Sequence, residues 1–329
     1  MTLNRRQIIG GLIGLPLTSG VPISTLRAQE SWPNRIVTIV VPFPPGGAAD
    51  IAGRLIAAVL TKELGRMFIV ENKPGAGGGL GHAHVASAKP DGYTLMMTLP
   101  SLAVIPEANR LQGQKVYYEA NQFSPIARIS ADPQLLVVKK FAPWKRLEDL
   151  VADARNNPGK IAYASSGRFG AAHIPMEMFL NAAGIKMLHV PYQGGFPAFN
   201  ALLSDQVQVC PSVESIIKGH LASGAVRVLA QWGTTRTPDF QNVPTMQEVG
   251  YPDVVNYLWT GLFAPVKTPE PIIKSICDVL GPYMHNPETI ARFAAAGSTA
   301  AYLDSSEFEA YFKDDAQHLI KVVRKIGLS

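Results

Sequence analysis

Charged residues are scarce in this chain. They make up 17% of its 329 residues, with 30 basic against 25 acidic side chains, whereas 47% of the residues are hydrophobic. Positions 1–28 hold three arginines and no acid, which leaves 27 basic against 25 acidic residues in the remainder. So small an excess excludes the basic surface of a nucleic-acid-binding protein. The hydrophobic content excludes a disordered tail and is enough to form the cores of about two domains.

Cysteine is almost absent. The two cysteines, Cys210 and Cys277, both lie in apolar stretches. A disulfide between them is the alternative, but apolar surroundings favour two separate buried thiols. No cysteine stands at the end of the N-terminal apolar stretch, so we expect no lipid anchor.

The chain also lacks an N-terminal hydrophobic run long enough to be a membrane span. Residues 8–17 are apolar, which is shorter than the ~20 residues that cross a bilayer. Two arginines precede this stretch, and the small residue Ala28 follows it. We therefore predict that residues 1–28 are an export signal and that the soluble protein resides in the periplasm. The Arg5-Arg6 pair resembles a twin-arginine signal, with an ordinary Sec signal as the alternative.

Short β-branched runs alternate with helical periodicity along the rest of the chain. Residues 36–41 form the first run, and apolar residues then recur at near-helical spacing to position 64. A second series of runs and helices begins near position 135 and continues to position 230. Such alternation predicts an α/β protein with mixed, mostly parallel sheets that are flanked by helices.

The order of the two series predicts two lobes. The second series interrupts the first, so the chain crosses between lobes twice, near residues 129–134 and 254–257. We predict that residues 29–131 plus 256–329 form lobe 1 and that residues 132–255 form lobe 2. No internal sequence repeat indicates a duplication.

The sequence contains no motif with the spacing needed to bind a nucleotide, to carry a catalytic serine or to bind a metal. In the glycine loop of residues 75–81, Leu80 stands where a dinucleotide fingerprint needs glycine, and neither a Walker loop nor a G-x-S-x-G elbow occurs. We therefore expect no cofactor. His82 and His84 point about 200° apart on a helix, and no acidic or cysteine cluster accompanies them. We predict no metal site and a surface position for both histidines.

Two glycine-rich loops each connect a predicted strand to a predicted helix. The first, residues 42–50, can aim the free backbone N–H groups of Gly46, Gly47 and Ala48 at an anion. The second, residues 164–170, adds serine hydroxyls, an arginine and a phenylalanine. In open α/β sheets, ligands bind at such loops. Plain turn and helix-capping chemistry is the alternative for each loop.

Several motifs occur in the order in which a known family has them. They are WP at 32–33, IVVPFPPGG at 39–47 followed by Asp50, VENKPGAGG at 70–78, KPDGYTL at 89–95, NPGK at 157–160, HVPYQGG at 189–195 and VPTMQEVG at 243–250. From Trp32 to its last helix, the chain resembles the Bug family, which are the solute receptors of tripartite tricarboxylate transporters.

The resemblance implies an extracytoplasmic solute-binding protein with a two-lobed, type II-like periplasmic-binding-protein fold, also called a Venus flytrap. Such a protein captures a small organic acid, through its carboxylate, between its lobes without catalysis, and membrane subunits of the transporter are its implied partners. We expect a monomer. The ligand-binding residues expected from the two loops and from the family are Phe43, Pro44, Pro45, Gly46, Gly47, Ala48, Asp50, Pro100, Ser101, Ser165, Ser166, Gly167, Arg168, Phe169, His173, Tyr192, Gly194, Gly195 and Ser212.

This sequence departs from the family pattern in the second loop. Arg168 and Phe169 stand where the family usually has smaller residues and a hydroxyl, and Ser212 stands where it often has an acid. We hypothesise that Arg168 pairs with a carboxylate of the solute or that Phe169 stacks on an aromatic solute. The alternative is an arginine in solvent beside a partly buried phenylalanine. The sequence does not identify the solute.

Two other functions stay open at this point. A hydrolase or lyase acting on a small acid would use His173 as the base for Ser165 or Ser166. The missing elbow and the absence of an obvious acid to orient His173 oppose this reading. A ligand sensor that reports to a membrane signalling partner would use the same fold as a transport receptor.

Overall fold

The computed structural model describes residues 32–326, so the predicted export signal at residues 1–28 lies outside the described residues. Within that range, eleven strands form two sheets. In chain order, the strands are β1 (Val37–Val41), β2 (Phe68–Asn72), β3 (Thr94–Thr98), β4 (Phe123–Pro133), β5 (Leu135–Lys139), β6 (Ala162–Ser165), β7 (Leu188–Pro191), β8 (Val209–Ser212), β9 (Val226–Gln231), β10 (Tyr257–Pro265) and β11 (Ala300–Leu303).

Ten α-helices in residues 32–326 accompany these strands. They are α1 (Ala48–Leu64), α2 (Gly79–Ala86), α3 (Ser101–Leu111), α4 (Leu147–Asn156), α5 (His173–Ala183), α6 (Gly195–Leu203), α7 (Glu214–Ala222), α8 (Glu270–Met284), α9 (Pro287–Ala295) and α10 (Ser305–Ile326). None of these described helices combines the length and the apolar character that crossing a membrane requires.

Each sheet combines parallel and antiparallel strands. The larger sheet has the order β11-β4-β10-β3-β1-β2, and the smaller has the order β7-β6-β8-β5-β9. β1 is parallel to β2 and β3, and β6 is parallel to β7 and β8. β10 is antiparallel to β3 and β4, β11 to β4, and β5 to β8 and β9.

The mixed sheets with flanking helices confirm the predicted α/β class, and four of the six strands in the larger sheet and four of the five in the smaller sheet run in one direction. Each sheet has at least as many antiparallel as parallel strand pairs, because β10 and β5 run against both of their neighbours. Local alternation of strands and helices predicts the parallel crossovers well. It does not show the direction of a strand that pairs with partners distant in sequence.

The chain passes between the two sheets twice. Strands of the larger sheet come from residues 37–133 and 257–303, whereas all strands of the smaller sheet come from residues 135–231. β4 and β10 therefore lie side by side as the outgoing and returning segments.

The smaller sheet is buried on both faces, as β5 shows. Leu136 and Val138 pack in one apolar cluster with Tyr163, whereas Leu135 and Val137 belong to a different cluster. Successive side chains of a strand point to opposite faces, so two clusters on one strand mean two covered faces. This explains why the strand reads as a continuous apolar run without alternation.

Two predictions about single side chains can be compared with the structure. Both cysteines are free thiols, and Cys210 is buried as predicted, whereas Cys277 is only partly buried. His84 is exposed, but the predicted surface position of His82 is wrong, because it is fully buried in α2. Two residues that point about 200° apart on a helix cannot both face solvent when the helix packs on a sheet.

Candidate ligand-binding site

A narrow cavity lies where the N-termini of four helices meet. The residues at or just before the first turns of α1, α5, α6 and α7 border it. About 40 Å³ is open to the centre of a water molecule, roughly three times the space that one water needs. The lining residues are Phe43, Pro44, Gly47, Ala48, Ala49, Leu99, Gln134, Ser166, Ala171, Ala172, Gly195, Phe196, Pro197, Pro211, Ser212, Val213, Ile216 and Leu258.

The first loop delivers the N-terminus of α1 to this cavity. The first hydrogen bond of the helix runs from Ile51 N to Gly47 O at 3.0 Å. The N–H groups of Ala48 and Ala49 precede that bond and have no acceptor inside the helix. Both residues line the cavity, so their backbone donors are available to a ligand there.

Asp50 holds this loop in place and does not line the cavity. Its Oδ2 accepts hydrogen bonds from Gly46 N and Arg54 Nε, both at 3.0 Å, and its Oδ1 accepts from Arg54 Nη2 and Asn72 Nδ2, both at 2.9 Å. Burial opposes ionisation, but the hydrogen bonds from Arg54, Gly46 and Asn72 hold the pKa of Asp50 below its usual value. The carboxylate is therefore occupied by protein donors.

The second loop presents a hydroxyl and a backbone donor. Ser166 Oγ accepts a hydrogen bond from Ala172 N at 3.3 Å, and His173 N donates to Gly170 O at 2.9 Å. Among the described residues, none accepts a hydrogen bond from Ala171 N. The Ser166 hydroxyl and the Ala171 N–H therefore both border the cavity with a proton to donate.

α6 and α7 complete the ring of helix N-termini. The first bond of α6 runs from Ala198 N to Gly194 O at 3.2 Å, which leaves the N–H of Gly195 without an acceptor in the helix. Ser212, at the end of β8 and two residues before α7, is 5% exposed, and no residue in the range 32–326 pairs with its Oγ. A buried hydroxyl without a partner is rare in a folded protein.

Gly194 allows the two loops to approach each other closely. Its φ is +130°, a backbone conformation that residues with side chains rarely adopt. A Cβ atom at this position would lie 2.9 Å from Pro44 Cδ. Both conditions require glycine where the HVPYQGG motif meets the first loop.

The electrostatics of the cavity come from the backbone. Among the described residues that line it, none carries a charged side chain. The N-terminus of each helix carries roughly half a positive charge, and its free N–H groups point outward along the helix axis. Four such ends around one narrow space favour an anion.

The structure brings together only some of the expected ligand-binding residues. Seven of them line the cavity: Phe43, Pro44, Gly47, Ala48, Ser166, Gly195 and Ser212. The other twelve do not line it: Pro45, Gly46, Asp50, Pro100, Ser101, Ser165, Gly167, Arg168, Phe169, His173, Tyr192 and Gly194.

Arg168 and Phe169 point away from the cavity. Phe169 is 5% exposed and packs in an apolar cluster with Val104, Ile174 and Leu319. Arg168 is exposed, and its guanidinium lies 5.6 Å from the centre of the Phe169 ring. The proposed carboxylate pairing and aromatic stacking therefore do not apply to a ligand in this cavity. The packing of Phe169 against α3 and α10 decides its direction, and the loop sequence alone does not show it.

A pair of histidines that does not line the cavity holds the second loop in place. The rings of His173 and His189 stack at 4.1 Å, Ser165 Oγ lies 2.6 Å from His189 Nε2, and Phe169 N donates to His173 Nδ1 at 3.1 Å. Burial, His189 and Arg168 together lower the pKa of His173 to about 3. Burial and Arg168 lower the pKa of His189 to about 4. Both rings are therefore neutral at pH 7 and hold the loop through hydrogen bonds and stacking.

Sequence reasoning missed several lining residues. Gln134 is buried at the first crossing between the sheets, and its Nε2 donates to Ala171 O at 2.6 Å and to Asn256 Oδ1 at 3.0 Å. No motif marks it. The apolar residues Leu99, Ile216 and Leu258 also line the cavity, but they look like ordinary core residues in the sequence.

Comparison with known proteins agrees with this geometry. The family model described as tripartite tricarboxylate transporter family receptor matches residues 52–328. The periplasmic binding protein BugD has 29% sequence identity and a TM-score of 0.82, with 90% of this chain and 99% of that chain covered. MatC from Rhodopseudomonas palustris, solved with malate, has 28% identity and a TM-score of 0.81, with 89% and 100% covered. An R. palustris protein solved with adipate has 29% identity and a TM-score of 0.85, with 90% and 98% covered.

These matches confirm the resemblance that the motifs carry and the two-lobed fold that it implies. The family model covers well over half of the chain, and the structural likeness extends over nine-tenths of it. The chain therefore belongs to the tripartite tricarboxylate transporter receptor family, with the fold of the Bug periplasmic binding proteins.

Proposed function

We propose that this protein captures a small organic acid in the cavity between its lobes and presents it to membrane subunits of a tripartite transporter. The observation that carries the proposal is the convergence of four helix N-termini on a cavity lined by no charged side chain of the described residues. Free N–H groups at helix N-termini bind a carboxylate without lysine or arginine. The malate and adipate in the two R. palustris structures support a carboxylate ligand.

The proposed mechanism is a hinge closure of lobe 1, residues 29–131 plus 256–329, onto lobe 2, residues 132–255. Gln134 and Asn256 lie at the two chain crossings and are joined by the hydrogen bond between their side chains. The backbone of Trp232 also joins the crossings. Its amide N–H donates to Gln134 O at 2.8 Å, and its carbonyl oxygen accepts from Asn256 N at 2.9 Å. A ligand favours the closed form through contacts that exist only there.

The proposed site of action is the periplasm, reached through the export signal predicted at residues 1–28. A receptor there meets solutes before they cross the inner membrane. Membrane subunits would then recognise the closed form of the two lobes. Withdrawal of the solute into the membrane subunits completes the proposed cycle.

The proposed activity is binding without catalysis. Ser165 and His189 form the closest serine–histidine contact, 2.6 Å, but Ser165 is fully buried and also accepts a hydrogen bond from Gly167 N. His173 already accepts a hydrogen bond from Phe169 N through Nδ1. A nucleophile must reach its substrate, and this serine faces the histidine pair rather than the cavity.

Thermal unfolding tests the proposal. The chain without residues 1–28 is refolded to remove carried-over solute and is heated with di- and tricarboxylates, monocarboxylates, amino acids and neutral amides. At a hundred times Kd, a ligand adds about 2.7 kcal/mol and raises Tm by several degrees. A rise with carboxylates and none with amides is the expected result. No rise with any acid contradicts the proposal, and turnover of a bound acid contradicts the absence of catalysis.

A further inference from the structure

We infer that the solute is a monocarboxylate with an apolar body, an inference that rests on the proposed function and narrows it to one class of acid. The cavity combines one region of anion-binding groups with hydrocarbon walls. That combination suits a carboxylate head and a tail without hydroxyl, amino or further carboxylate groups.

The walls of the cavity are apolar on both sides. Phe43 and Leu99, just after β1 and β3, and Leu258 in β10 border it on one side, and Phe196 in α6 and Ile216 in α7 border it on the other. Fifteen of the eighteen lining residues have apolar side chains or none. A hydrocarbon tail placed among them loses its contact with water, which favours binding.

The polar side chains of the lining are few and mostly engaged. Gln134 Nε2 donates its two amide hydrogens to Ala171 O and Asn256 Oδ1, and Ser166 Oγ accepts from Ala172 N, which leaves only its hydroxyl proton to donate. Ser212 alone has no partner within residues 32–326, although it is 95% buried and borders the cavity. Its hydroxyl is an independent sign, besides the helix N-termini, that a polar ligand atom belongs beside it.

The apolar lining limits the number of charges that the cavity can hold. The polar groups that border the cavity are the four helix N-termini and the side chains of Gln134, Ser166 and Ser212, and the rest of the lining is apolar. A second carboxylate or a hydroxyl on the tail would face apolar side chains. Such a group would lose its hydration without gaining a hydrogen bond, which weakens binding.

Matched acids test the inference by titration calorimetry on the chain without its first 28 residues. Hexanoate and adipate share six carbons and differ in the second carboxylate, benzoate tests an aromatic body, malate adds a hydroxyl, and hexanamide removes the charge. We expect hexanoate or benzoate to bind about 10- to 100-fold more tightly than adipate or malate, and hexanamide not to bind.

Each other outcome overturns a defined statement. Adipate or malate binding at least as tightly as the monocarboxylates overturns this inference and leaves the proposed function intact. Hexanamide binding as tightly as hexanoate overturns the requirement for an anion. No binding of any carboxylate overturns the proposed function itself.

Two serine variants test the role of Ser212. Ser212 and Ser215 both have buried hydroxyls without partners in the described residues, but only Ser212 lines the cavity. Ser212→Ala should weaken the tightest monocarboxylate about 10-fold, and Ser215→Ala should leave its Kd within about twofold, with similar Tm values for both. Equal affinities of the two variants would remove Ser212 from the ligand site.

Discussion

Acidification should destabilise this protein through its buried histidines, and His82 offers the clearest measurement. Its ring is fully buried, with Nδ1 at 2.9 Å from Tyr118 Oη and Nε2 at 2.7 Å from Thr98 Oγ1. Burial lowers the pKa of His82 from 6.5 to about 3. The folded state therefore keeps this ring neutral at a pH at which the unfolded chain protonates it.

The sign and size of the effect follow from this difference. Above pH 6.5 both states hold a neutral ring, and its full contribution to stability is present. Between pH 6.5 and about pH 3, the unfolded state binds one proton more, so the free energy of unfolding falls by about 1.4 kcal/mol per pH unit. At pH 5, His82 should thus cost about 2 kcal/mol relative to pH 7.

Other groups titrate in the same range, so the measurement must be a comparison between variants. His173 and His189 have lowered pKa values and act in the same direction as His82. Burial raises the pKa of Asp132 to about 6, against the hydrogen bonds from Ser298 and Thr299. The folded state therefore binds that proton more readily, and Asp132 opposes the histidines below pH 6.

The assay is urea unfolding of the ligand-free protein at pH 7 and at pH 5. His82→Gln should lower stability at pH 7, because it disturbs two buried hydrogen bonds. Its loss of stability between the two pH values should be smaller than that of the unsubstituted protein by about 2 kcal/mol. His84→Gln is the control, because His84 is exposed two residues away. An equal pH dependence in His82→Gln and the unsubstituted protein would refute the reasoning.

Three further substitutions have defined outcomes. Arg168→Ala should leave the Kd of a cavity ligand within about twofold by calorimetry, because Arg168 does not line the cavity; a loss above tenfold would return it to the site. Gly194→Ala should lower both Tm and ligand affinity, because alanine at φ +130° is strained and its Cβ would collide with Pro44. The strain should destabilise the folded state by about 1–3 kcal/mol, and an unchanged Tm would contradict this. Asp50→Asn should lower stability at pH 7 by about 1–3 kcal/mol in urea, since it disturbs the bonds to Arg54 and Gly46. An unchanged free energy of unfolding would refute this.

Much of the fold was accessible from local patterns. The apolar run at β5, the glycine that ends α5 and the apolar periodicity of α1 each predict their element without reference to the rest of the chain. Propensity, capping and periodicity act over a few residues, so a single sequence carries them. The antiparallel directions of β5 and β10 are not local properties of this kind, because they depend on strands that are distant in the sequence.

The candidate site divides in the same way. The loops with Gly47 and Ser166 were predicted, because glycine-rich turns before helices have a recognisable sequence. Gln134 and Leu258 were not, because a buried glutamine or leucine looks the same whether it borders a ligand or a neighbouring side chain. The sequence left the direction of Phe169 open between a ligand contact and burial, and its packing against α3 and α10 decides for burial.

The sequence by itself determined the family, the α/β class and the two loops that carry backbone donors, because motifs and short-range periodicity are written into consecutive residues. Tertiary structure alone decided which helix ends converge, which of the nineteen expected residues border the cavity, and that its walls are apolar. Those properties arise from packing between segments more than a hundred residues apart, as between Phe43 and Val213, and long-range packing leaves no local mark on the chain.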